Sequence, residues 1–428
     1  MLDARERRAQ AQTAFLHQAD RTDCLVSLSL NIAGDVKRTP KTRLLFDRGM
    51  RLFDRLGFSE RSRTVTDAAT GTEALILLRE NAADVKRALE TIEDAFPAAR
   101  LYDFDVLDAG GEKLSRRIPR RCLVCGGPAA VCARSRAHGL DAVKAATDAL
   151  LNGFCAETLA NAAHAALLRE LHATPKPGLV DERNNGAHTD MDVPLFTKSA
   201  AALLPYFREA VCLGLANAGM APLKARGLEA ERAMFAATGG VNTHKGMIYS
   251  MGLLLCGMGY VLSFGGDAVG CAAALAKTDA AERLSHAGQR RDTNGAKAYA
   301  AYGAAGAVGE AAAGFPHAKL CADRLRSYRE QGCKHAGALA LCDTMAVLED
   351  VNLLHRGGAE GLAFVQAEAK RIGALSVSER IAALEALDLE MIRRNLSPGG
   401  SADMLALGYL LNDWRELSAD LFWEGNAP

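Results

Sequence analysis

The sequence has no excess charge of either sign and few aromatic residues. Lysine and arginine together number 51, as do aspartate and glutamate, and aromatic residues make up only 6% of the chain. A chain without net charge has no overall field that would attract nucleic acid or an anionic membrane. We therefore expect neither as a partner, and any anionic ligand must be bound by local groups.

An unbroken apolar run long enough to cross a bilayer is also missing. The most apolar stretch, residues 247–264, is interrupted by glycines and serines and predicts a buried helix followed by a loop. The first twelve residues are rich in charge and lack the apolar centre of a signal peptide. Eleven cysteines, an odd number, fit a reducing compartment better than a disulfide framework. The expected location is the cytoplasm.

The length of the chain and the change in its residue composition and periodicity predict two domains. A chain of 428 residues exceeds the roughly 250–300 residues that one hydrophobic core supports. Residues 1–145 combine strand and helix signals, whereas residues 146–428 consist of alanine- and leucine-rich windows with helical spacing. We predict an α+β N-terminal domain, with a mixed sheet and helices, followed by an all-α C-terminal domain.

The periodicity of apolar residues predicts individual elements in both halves. In the first half, strands are expected at residues 24–32, 74–78, 101–106 and 112–115, and helices at 42–56 and 82–96. Gly110 and Gly111 predict a hairpin turn between the last two strands. In the second half, helices are expected at residues 142–172, 199–213, 297–313 and 377–394.

Two acidic residues alternate with apolar ones in residues 101–106. Strand alternation places Tyr102, Phe104 and Val106 on one face and Asp103 and Asp105 on the other. Such a pair has Cα atoms about 6.5–7 Å apart, which lets both carboxylates hold one Mg²⁺ ion. The arrangement suits nucleotidyl transfer, in which the metal neutralises triphosphate charge. A strand with a solvated acidic face is the alternative.

A cysteine-rich and arginine-rich segment follows. Cys122, Cys125, Cys132 and His138 form a C-x2-C-x6-C-x5-H set that can supply four tetrahedral zinc ligands. The middle spacing is shorter than in ordinary zinc fingers, so reduced structural cysteines are an equal alternative. The segment also contains six arginines, whose planar guanidinium groups can each donate two hydrogen bonds to phosphate oxygens. A solvated basic surface is the alternative interpretation. The arginines are Arg116, Arg117, Arg120, Arg121, Arg134 and Arg136.

The order of these elements resembles the apo-citrate lyase phosphoribosyl-dephospho-CoA transferase family. The resemblance rests on residues 101–106, 114–117, 120–125 and 131–134 with His138, and on the upstream segment 28–37 with Gly34 and Lys37. It implies a nucleotidyltransferase-like domain over residues 1–145. That domain would transfer a phosphoribosyl-dephospho-CoA unit to a serine of the acyl-carrier (γ) subunit of citrate lyase and release pyrophosphate.

In the second half, glycine- and proline-containing loops with polar side chains interrupt the helices. Residues 174–192 resemble an active-site loop, because charged and amide side chains cluster along an irregular backbone. In residues 238–246, small residues precede an apolar helix and Lys245 adds charge, which favours phosphate binding. It is not a Walker A loop, since His244 precedes Lys245; an ordinary helix-entry loop is the alternative. With residues 306–310, 350–358 and 395–403, these loops suggest one polar pocket at the helix ends.

These five segments, in this order, resemble triphosphoribosyl-dephospho-CoA synthase over residues 145–415. The resemblance implies that ATP and 3′-dephospho-CoA are joined through the 2′-hydroxyl group of dephospho-CoA and C1 of the ATP ribose, with release of adenine. Val308 stands where this family usually has arginine, and Val351 where it usually has threonine. Both departures put part of the substrate contact in doubt.

The two resemblances imply the roles of individual residues. The expected catalytic residues are Asp103, Asp105, Asp181, His244 and Glu310, with His188 and His355 as further proton-transfer candidates. Mg²⁺ is expected at Asp103, Asp105 and Asp350. The expected substrate-binding residues are Lys37, Arg116, Arg117, Lys176, Gly239, Gly240, Asn242, Lys245, Arg356, Ser397, Gly399 and Gly400.

The product of the second predicted domain is the substrate of the first, so the two resemblances support each other. We expect a bifunctional transferase that matures citrate lyase. Two alternatives are the same chemistry on the carrier of malonate decarboxylase, and a non-catalytic maturation scaffold that binds CoA derivatives. The cysteine-rich segment, residues 122–138, favours the citrate lyase carrier.

Overall fold

The computed structural model describes residues 2–285 and 300–422. The chain divides into two compact units: unit 1 contains the described residues up to 155 and those from 418 onward, and unit 2 contains residues 156–417. The division falls within a continuous helix, Leu140–Leu171. Each unit is described by itself.

Unit 1 is built on a four-stranded sheet in the order β2-β3-β1-β4. The strands are β1 (Cys24–Leu30), β2 (Glu60–Ala68), β3 (Gly71–Leu78) and β4 (Tyr102–Asp108). The helices are α1 (Leu2–Leu16), α2 (Pro40–Asp54), α3 (Ala82–Glu93) and α4 (Ala129–Ser135), with a 3₁₀ turn at Pro97–Leu101. The α+β class is confirmed.

The prediction of a mixed sheet was wrong, because all three strand pairs are antiparallel. Only two residues connect β2 to β3, and such a short connection permits only an antiparallel hairpin. Strand β2 was not predicted at all. Its sequence is mostly polar and its side chains are largely exposed, so it lacks the apolar alternation of a half-buried strand.

The two helices over the sheet begin at clear capping signals. Thr39 forms a capping box with Thr42 at the start of α2, where Pro40 occupies the first turn. The Asn81 side chain accepts hydrogen bonds from the backbone of Ala83 and Asp84 at the start of α3. The predicted turn at Gly110–Gly111 is present, although the second predicted strand is reduced to a bridge between Leu107 and Lys113.

The outer edge of β4 is covered by side chains of α3. The backbone N–H of Phe104 donates to Glu93 at 3.1 Å, and the Phe104 carbonyl accepts from Lys86 Nζ at 2.7 Å. Both charged side chains are buried. Since Glu93 also binds Arg116 and Arg120, this edge is tied to the segment that follows β4.

Unit 2 contains helices and no strand among its described residues. Helix α5 (Leu140–Leu171) enters this unit and is followed by the other helices. These are α6 (Val193–Leu215), α7 (Met220–Thr238), α8 (Lys245–Phe264), α9 (Ala268–Ser285), α10 (Gly306–Ala312), α11 (Pro316–Glu330), α12 (Ala336–Met345), α13 (Val351–Gly373), α14 (Val377–Arg393) and α15 (Gly399–Ser418). The all-α prediction is confirmed for the described residues. The helix predicted at 297–313 lies partly outside them, and the part inside them is interrupted at residues 303–305, so that α10 begins only at Gly306.

Helix α8 is the most apolar helix of the described residues. By length and composition alone it qualifies as a membrane span, but 78% of its most apolar window is buried inside the protein. Close packing against its neighbours requires glycine: a Cβ atom on Gly259 would lie 2.3 Å from the Val211 carbonyl oxygen of α6. The predicted buried helix is confirmed.

Candidate active sites

A cavity of about 450 Å³ lies in unit 1, where β1 ends beside β4. Its polar lining includes Ser29, Asn31, Lys37, Thr72 and Asp103. Ser29 is the register partner of Asp103 across β1 and β4, so strand pairing fixes these two groups side by side. The cavity therefore combines a carboxylate, a lysine and neutral hydrogen-bonding groups, a set that suits a phosphorylated ligand and its metal.

The acidic pair of β4 occupies the predicted face. The side chains of Tyr102, Phe104 and Val106 are buried, whereas those of Asp103 and Asp105 keep 34% and 26% of their surface exposed. Asp103 Oδ1 lies 3.8 Å from an Arg120 nitrogen, and Asp105 Oδ1 lies 2.6 Å from Lys113 Nζ. Of these two residues, only Asp103 lines the cavity; Asp105 lies two residues further along β4.

The structure separates the three basic residues predicted to bind substrate in this half. Lys37 lines the cavity and donates from Nζ to the Ile32 carbonyl oxygen. Arg116 pairs with Glu93 at 3.1 Å and also with Asp94, while Arg117 pairs with Glu90 at 3.5 Å. Lys37 and Asp103 thus line the same cavity. Both arginines are instead paired with acidic side chains of α3 and of Asp94, which follows it.

The predicted cysteine and histidine ligands come together in unit 1. The ligand atoms of Cys122, Cys125, Cys132 and His138 all lie within 4.8 Å of one another. Backbone hydrogen bonds from Cys125 and Val124 lower the pKa of Cys122 to about 6, which favours its thiolate form. The sequence spacing, although short, is compatible with a common centre.

In unit 2 the N-termini of α8, α13 and α15 meet. Asp350, the N-cap of α13, accepts from the backbone of Asn352 at 2.9 Å and from the backbone of Ser401 in α15 at 2.8 Å. A Cβ atom on Gly246, in the first turn of α8, would lie 2.9 Å from Asp403 Oδ2 of α15. Because helix N-termini carry partial positive charge, their meeting stabilises a negative charge, and the Asp350 carboxylate supplies one there.

Buried ionisable groups surround this meeting point. Lys176 Nζ lies 2.6 Å from Glu170 Oε1, and both side chains are buried. His244 Nδ1 lies 2.6 Å from Ser199 Oγ. Burial raises the pKa of Asp403 well above its ordinary value, and the nearby carboxylates of Asp350 and Glu170 add to the effect. Perturbed titratable groups at helix ends are characteristic of a functional site.

His244 provides a pH-dependent prediction. Burial, aided by the charge of Lys176, lowers its pKa from 6.5 to about 4, so the folded protein holds this imidazole neutral. The unfolded chain binds the proton more readily. The free energy of unfolding should therefore be unaffected by this group above pH 6.5, and fall by about 3 kcal/mol as the pH drops from 6.5 to 4. Urea unfolding at a series of pH values measures it.

The matched variants are His244→Asn and His172→Gln. The first removes the buried imidazole and should flatten the pH dependence between pH 6.5 and 4. The second changes an exposed histidine that lies 2.9 Å from Glu182 and should leave the wild-type slope. An equally steep slope in His244→Asn would assign the effect to another group.

A second polar group joins three of the predicted loops. Arg356 donates to the Ala187 carbonyl oxygen at 2.8 Å and lies 3.2 Å from His188 Nδ1. Since arginine only donates, Nδ1 accepts, and His188 Nε2 donates its proton to Ser397 Oγ at 2.9 Å. Burial first, and then Arg356, lower the pKa of His188. Arg356, His188 and Ser397 are therefore held in one fixed geometry.

Two of the acids predicted to be catalytic have both oxygens engaged in holding loops. Asp181 accepts from Thr174 Oγ1 and the Lys176 backbone with one oxygen, and from the backbone of Arg183 and Asn184 with the other. Glu310 accepts from the backbone of His317 and Ala318 at the start of α11, and also contacts the His317 ring. His355, the further proton-transfer candidate, is exposed.

The segment at residues 238–246 is a helix-entry loop with a polar rim. Asn242 accepts from the backbone of Lys245 at 3.2 Å, and Lys245 Nζ pairs with Glu231 at 3.0 Å. Gly239 and Gly240 adopt positive φ of 66° and 93°, which favours glycine at both positions. The chain therefore passes from α7 into this loop through two glycines with positive φ.

The glycines that open α15 allow close packing at the same helix ends. A Cβ atom on Gly400 would lie 3.1 Å from the Asp350 carboxylate, and one on Gly399 would lie 2.4 Å from Asn352 Nδ2. Of the two departures from the family pattern, Val351 lies close to the start of α10, since its Cγ2 atom would be 3.1 Å from a Cβ on Gly306. Val308 lies two residues further along the chain.

The sequence did not identify Glu170, Ser199 or Asp403 as parts of this site. Glu170 and Ser199 lie inside helices, where a single polar residue gives no signal. Asp403 belongs to the segment 395–403 but was not distinguished from its neighbours. Each of these residues belongs to the site because its helix packs against another segment of the chain. The periodicity of the sequence does not reveal such packing.

Comparison with known proteins supports both halves of this description. The family model for apo-citrate lyase phosphoribosyl-dephospho-CoA transferase matches residues 1–154, and that for ATP:dephospho-CoA triphosphoribosyl transferase matches residues 156–421. Protein CitXG of Haemophilus influenzae is 34% identical over 438 residues, covering 95% of this chain and 94% of the relative. Protein CitXG of Leuconostoc mesenteroides subsp. cremoris is 30% identical over 448 residues, covering 96% of each.

A further relative matches the second half. The 2-(5''-triphosphoribosyl)-3'-dephosphocoenzyme-A synthase of Haemophilus ducreyi is 36% identical over 315 residues, covering 66% of this chain and 97% of the relative. An α+β unit and a helical unit, each with its own polar site and its own transferase family, define a bifunctional transferase. The chain belongs to the CitXG family, in which both transferase domains lie in one polypeptide.

Proposed function

We propose that a C-terminal domain, residues 146–428, joins ATP to 3′-dephospho-CoA and forms 2′-(5″-triphosphoribosyl)-3′-dephospho-CoA. The observation that carries this proposal is the meeting of three helix N-termini beside the buried side chains of Lys176 and His244 and the carboxylate of Asp403. The helix ends and Lys176 contribute the positive groups that a triphosphate needs, in balance with the nearby carboxylates of Glu170, Asp350 and Asp403. The matched family supplies the identity of the two substrates.

The chemistry requires a proton acceptor and a proton donor. The 2′-hydroxyl oxygen of dephospho-CoA attacks C1 of the ATP ribose, the bond from C1 to adenine breaks, and adenine takes up a proton in place of the one that the hydroxyl loses. The raised pKa of Asp403 favours its protonated form, which suits this carboxyl as the proton donor. His244 is neutral at that pH and accepts a proton or a hydrogen bond rather than donating from a charged form.

An N-terminal domain, residues 1–145, then transfers the phosphoribosyl-dephospho-CoA group to a serine of the acyl-carrier (γ) subunit of citrate lyase. The serine oxygen attacks the phosphorus bonded to the ribose oxygen, and pyrophosphate leaves as the serine proton is lost. The cavity with Lys37 and Asp103 supports this role, because it offers a cation to phosphate and a carboxylate to the metal. Together the two reactions place the chain in the cytoplasmic maturation of citrate lyase.

Mg²⁺ fits the acidic pair of β4. Asp103 and Asp105 present hard oxygen ligands on one strand face, and both remain partly exposed. When bound there, Mg²⁺ would neutralise charge on the triphosphate. Asp350 fits the ion less well, because its two oxygens accept hydrogen bonds from the backbone of Asn352 and from Ser401.

A coupled assay tests the complete proposal. The purified chain is incubated with ATP, Mg²⁺ and dephospho-CoA, and free adenine is measured by chromatography before and after the apo-carrier of citrate lyase is added. We expect adenine without carrier, and a carrier heavier by one phosphoribosyl-dephospho-CoA group when carrier is present. Absence of adenine from folded protein would support a non-catalytic scaffold instead.

The identity of the carrier is decided in the same assay. The apo-carrier of malonate decarboxylase replaces that of citrate lyase at equal concentration, and the mass of each carrier is followed with time. We expect faster modification of the citrate lyase carrier. Preference for the other carrier would reassign the N-terminal half while leaving the adenine-releasing reaction intact.

A further inference from the structure

Residues 121–138 of unit 1 are folded without a hydrophobic core of their own. No residue in this segment is buried, and α4 within it buries no side chain. The Cys122 N–H donates to the Gly127 carbonyl and the Gly126 N–H to the Cys122 carbonyl, which closes a tight turn around the first two cysteines. A helix of seven residues is not stable by itself. Within the segment, only Leu123 packs partly against the core of unit 1, so a further cross-link is needed to hold the rest.

The four candidate ligand side chains supply such a cross-link. Their ligand atoms lie within 4.8 Å of one another, and the sulfurs of Cys125 and Cys132 are 3.6 Å apart. In a tetrahedral zinc site with Zn–S bonds of about 2.3 Å, two sulfurs are about 3.8 Å apart. A disulfide requires about 2.05 Å, and all the cysteines of this segment are free. The spacing is that of thiolates around a common ion.

His138 provides an independent observation. Its Nε2 atom is buried and has no hydrogen-bond partner among the described residues. Leaving a buried polar atom unsatisfied costs about 1–3 kcal/mol, so such atoms in folded proteins call for a ligand. The Val124 N–H also donates to Cys122 Sγ at 3.4 Å, an outer contact of the kind that orients a metal-binding sulfur.

We propose that Cys122, Cys125, Cys132 and His138 bind one Zn²⁺ ion. Three sulfurs and one imidazole nitrogen are the donors that zinc prefers, and four protein ligands leave no open position for a substrate. The site is therefore structural, and its binding free energy contributes directly to folding of residues 121–138.

The position of this segment gives the zinc site a role in the N-terminal reaction. Leu123 lies in the wall of the cavity, and Arg120, immediately before the segment, pairs with Glu93 at 2.6 Å and approaches Asp103 at 3.8 Å. Zinc thus fixes one wall of the cavity and the arginine beside its carboxylate. Removal of zinc should lower transfer to the carrier more than it lowers adenine release.

Metal analysis of the full chain tests the proposal. The chain is purified without chelators and zinc is measured by inductively coupled plasma mass spectrometry; we expect one zinc per chain. Cys132→Ser and His138→Ala should each lose most of the zinc. Cys212→Ser is the control, because it removes an exposed cysteine on α6 outside the cluster. Zinc content that is equal in all four proteins overturns the proposal.

Cobalt provides a measurement that does not depend on the folding of a variant. The wild-type chain is stripped of metal, refilled with Co²⁺ and examined by absorption spectroscopy. Tetrahedral thiolate coordination should give strong visible bands and a near-ultraviolet charge-transfer band, which zinc then abolishes. A wild-type chain that binds neither ion, or peptide mapping that finds a Cys125–Cys132 disulfide in the active protein, overturns the zinc site without affecting the transferase assignment.

Discussion

Asp103→Asn should reduce transfer of the phosphoribosyl-dephospho-CoA group to the carrier by about two to three orders of magnitude. The amide cannot supply the charge that a metal ligand needs, and loss of one electrostatic contact to a transition state has an effect of this size. Adenine release should remain at the wild-type rate, because unit 2 contains the groups proposed for that reaction. Carrier mass and free adenine, followed in one reaction mixture, measure both activities.

Asp84→Asn is the matched control for this experiment. Asp84 lies in the first turn of α3 in the same unit, with 63% of its side chain exposed, and does not line the cavity. The Asp84→Asn variant should transfer the phosphoribosyl-dephospho-CoA group to the carrier at the wild-type rate. If Asp103→Asn transferred normally while folded, as judged by circular dichroism, Asp103 would be removed from the active site and β4 would carry only a solvated acidic face.

Lys176→Met should lower the free energy of unfolding of unit 2 by about 3–5 kcal/mol, because it leaves the buried Glu170 carboxylate without its partner. It should also abolish adenine release, since the cation beside the three helix ends is lost. Urea unfolding followed by circular dichroism measures the first effect, and chromatography of adenine measures the second.

The double variant Lys176→Met/Glu170→Leu separates stability from catalysis. Replacing both charges with apolar side chains removes the unpaired carboxylate, so most of the lost stability should return. Adenine release should remain absent, because the cation is still missing. Recovery of adenine release in the double variant would show that Lys176 acts only through folding.

The sequence predicted those parts of the fold that depend on local periodicity. Alternation in β4 correctly separated the buried face of Tyr102 and Phe104 from the carboxylates of Asp103 and Asp105, and helical spacing identified α14 within one residue. The charged strand β2 has no apolar alternation, because its side chains are largely exposed on both faces. Its presence depends on hydrogen bonding to β3, which its own residues do not signal.

The candidate sites were predictable to a smaller degree, for a related reason. The loops could be identified from glycine, proline and polar residues, but the use of each carboxylate depends on which backbone groups reach it. Asp181 and Glu310 bind backbone N–H groups at loops and helix starts, whereas Asp403 is placed among other acids by α15. Residue type and spacing do not distinguish these environments, because each is created by contacts between distant segments.

The side-chain cover over Phe104 also decides how other chains can approach the sheet. An edge strand normally offers free N–H and C=O groups to which an extended segment of another molecule can add. Here Glu93 takes the N–H of Phe104 and Lys86 takes its carbonyl, so the middle of β4 cannot pair with a further strand. A carrier protein that reaches Asp103 must therefore be recognised through side chains and loops rather than by extending the sheet, and the same cover protects this edge from aggregation.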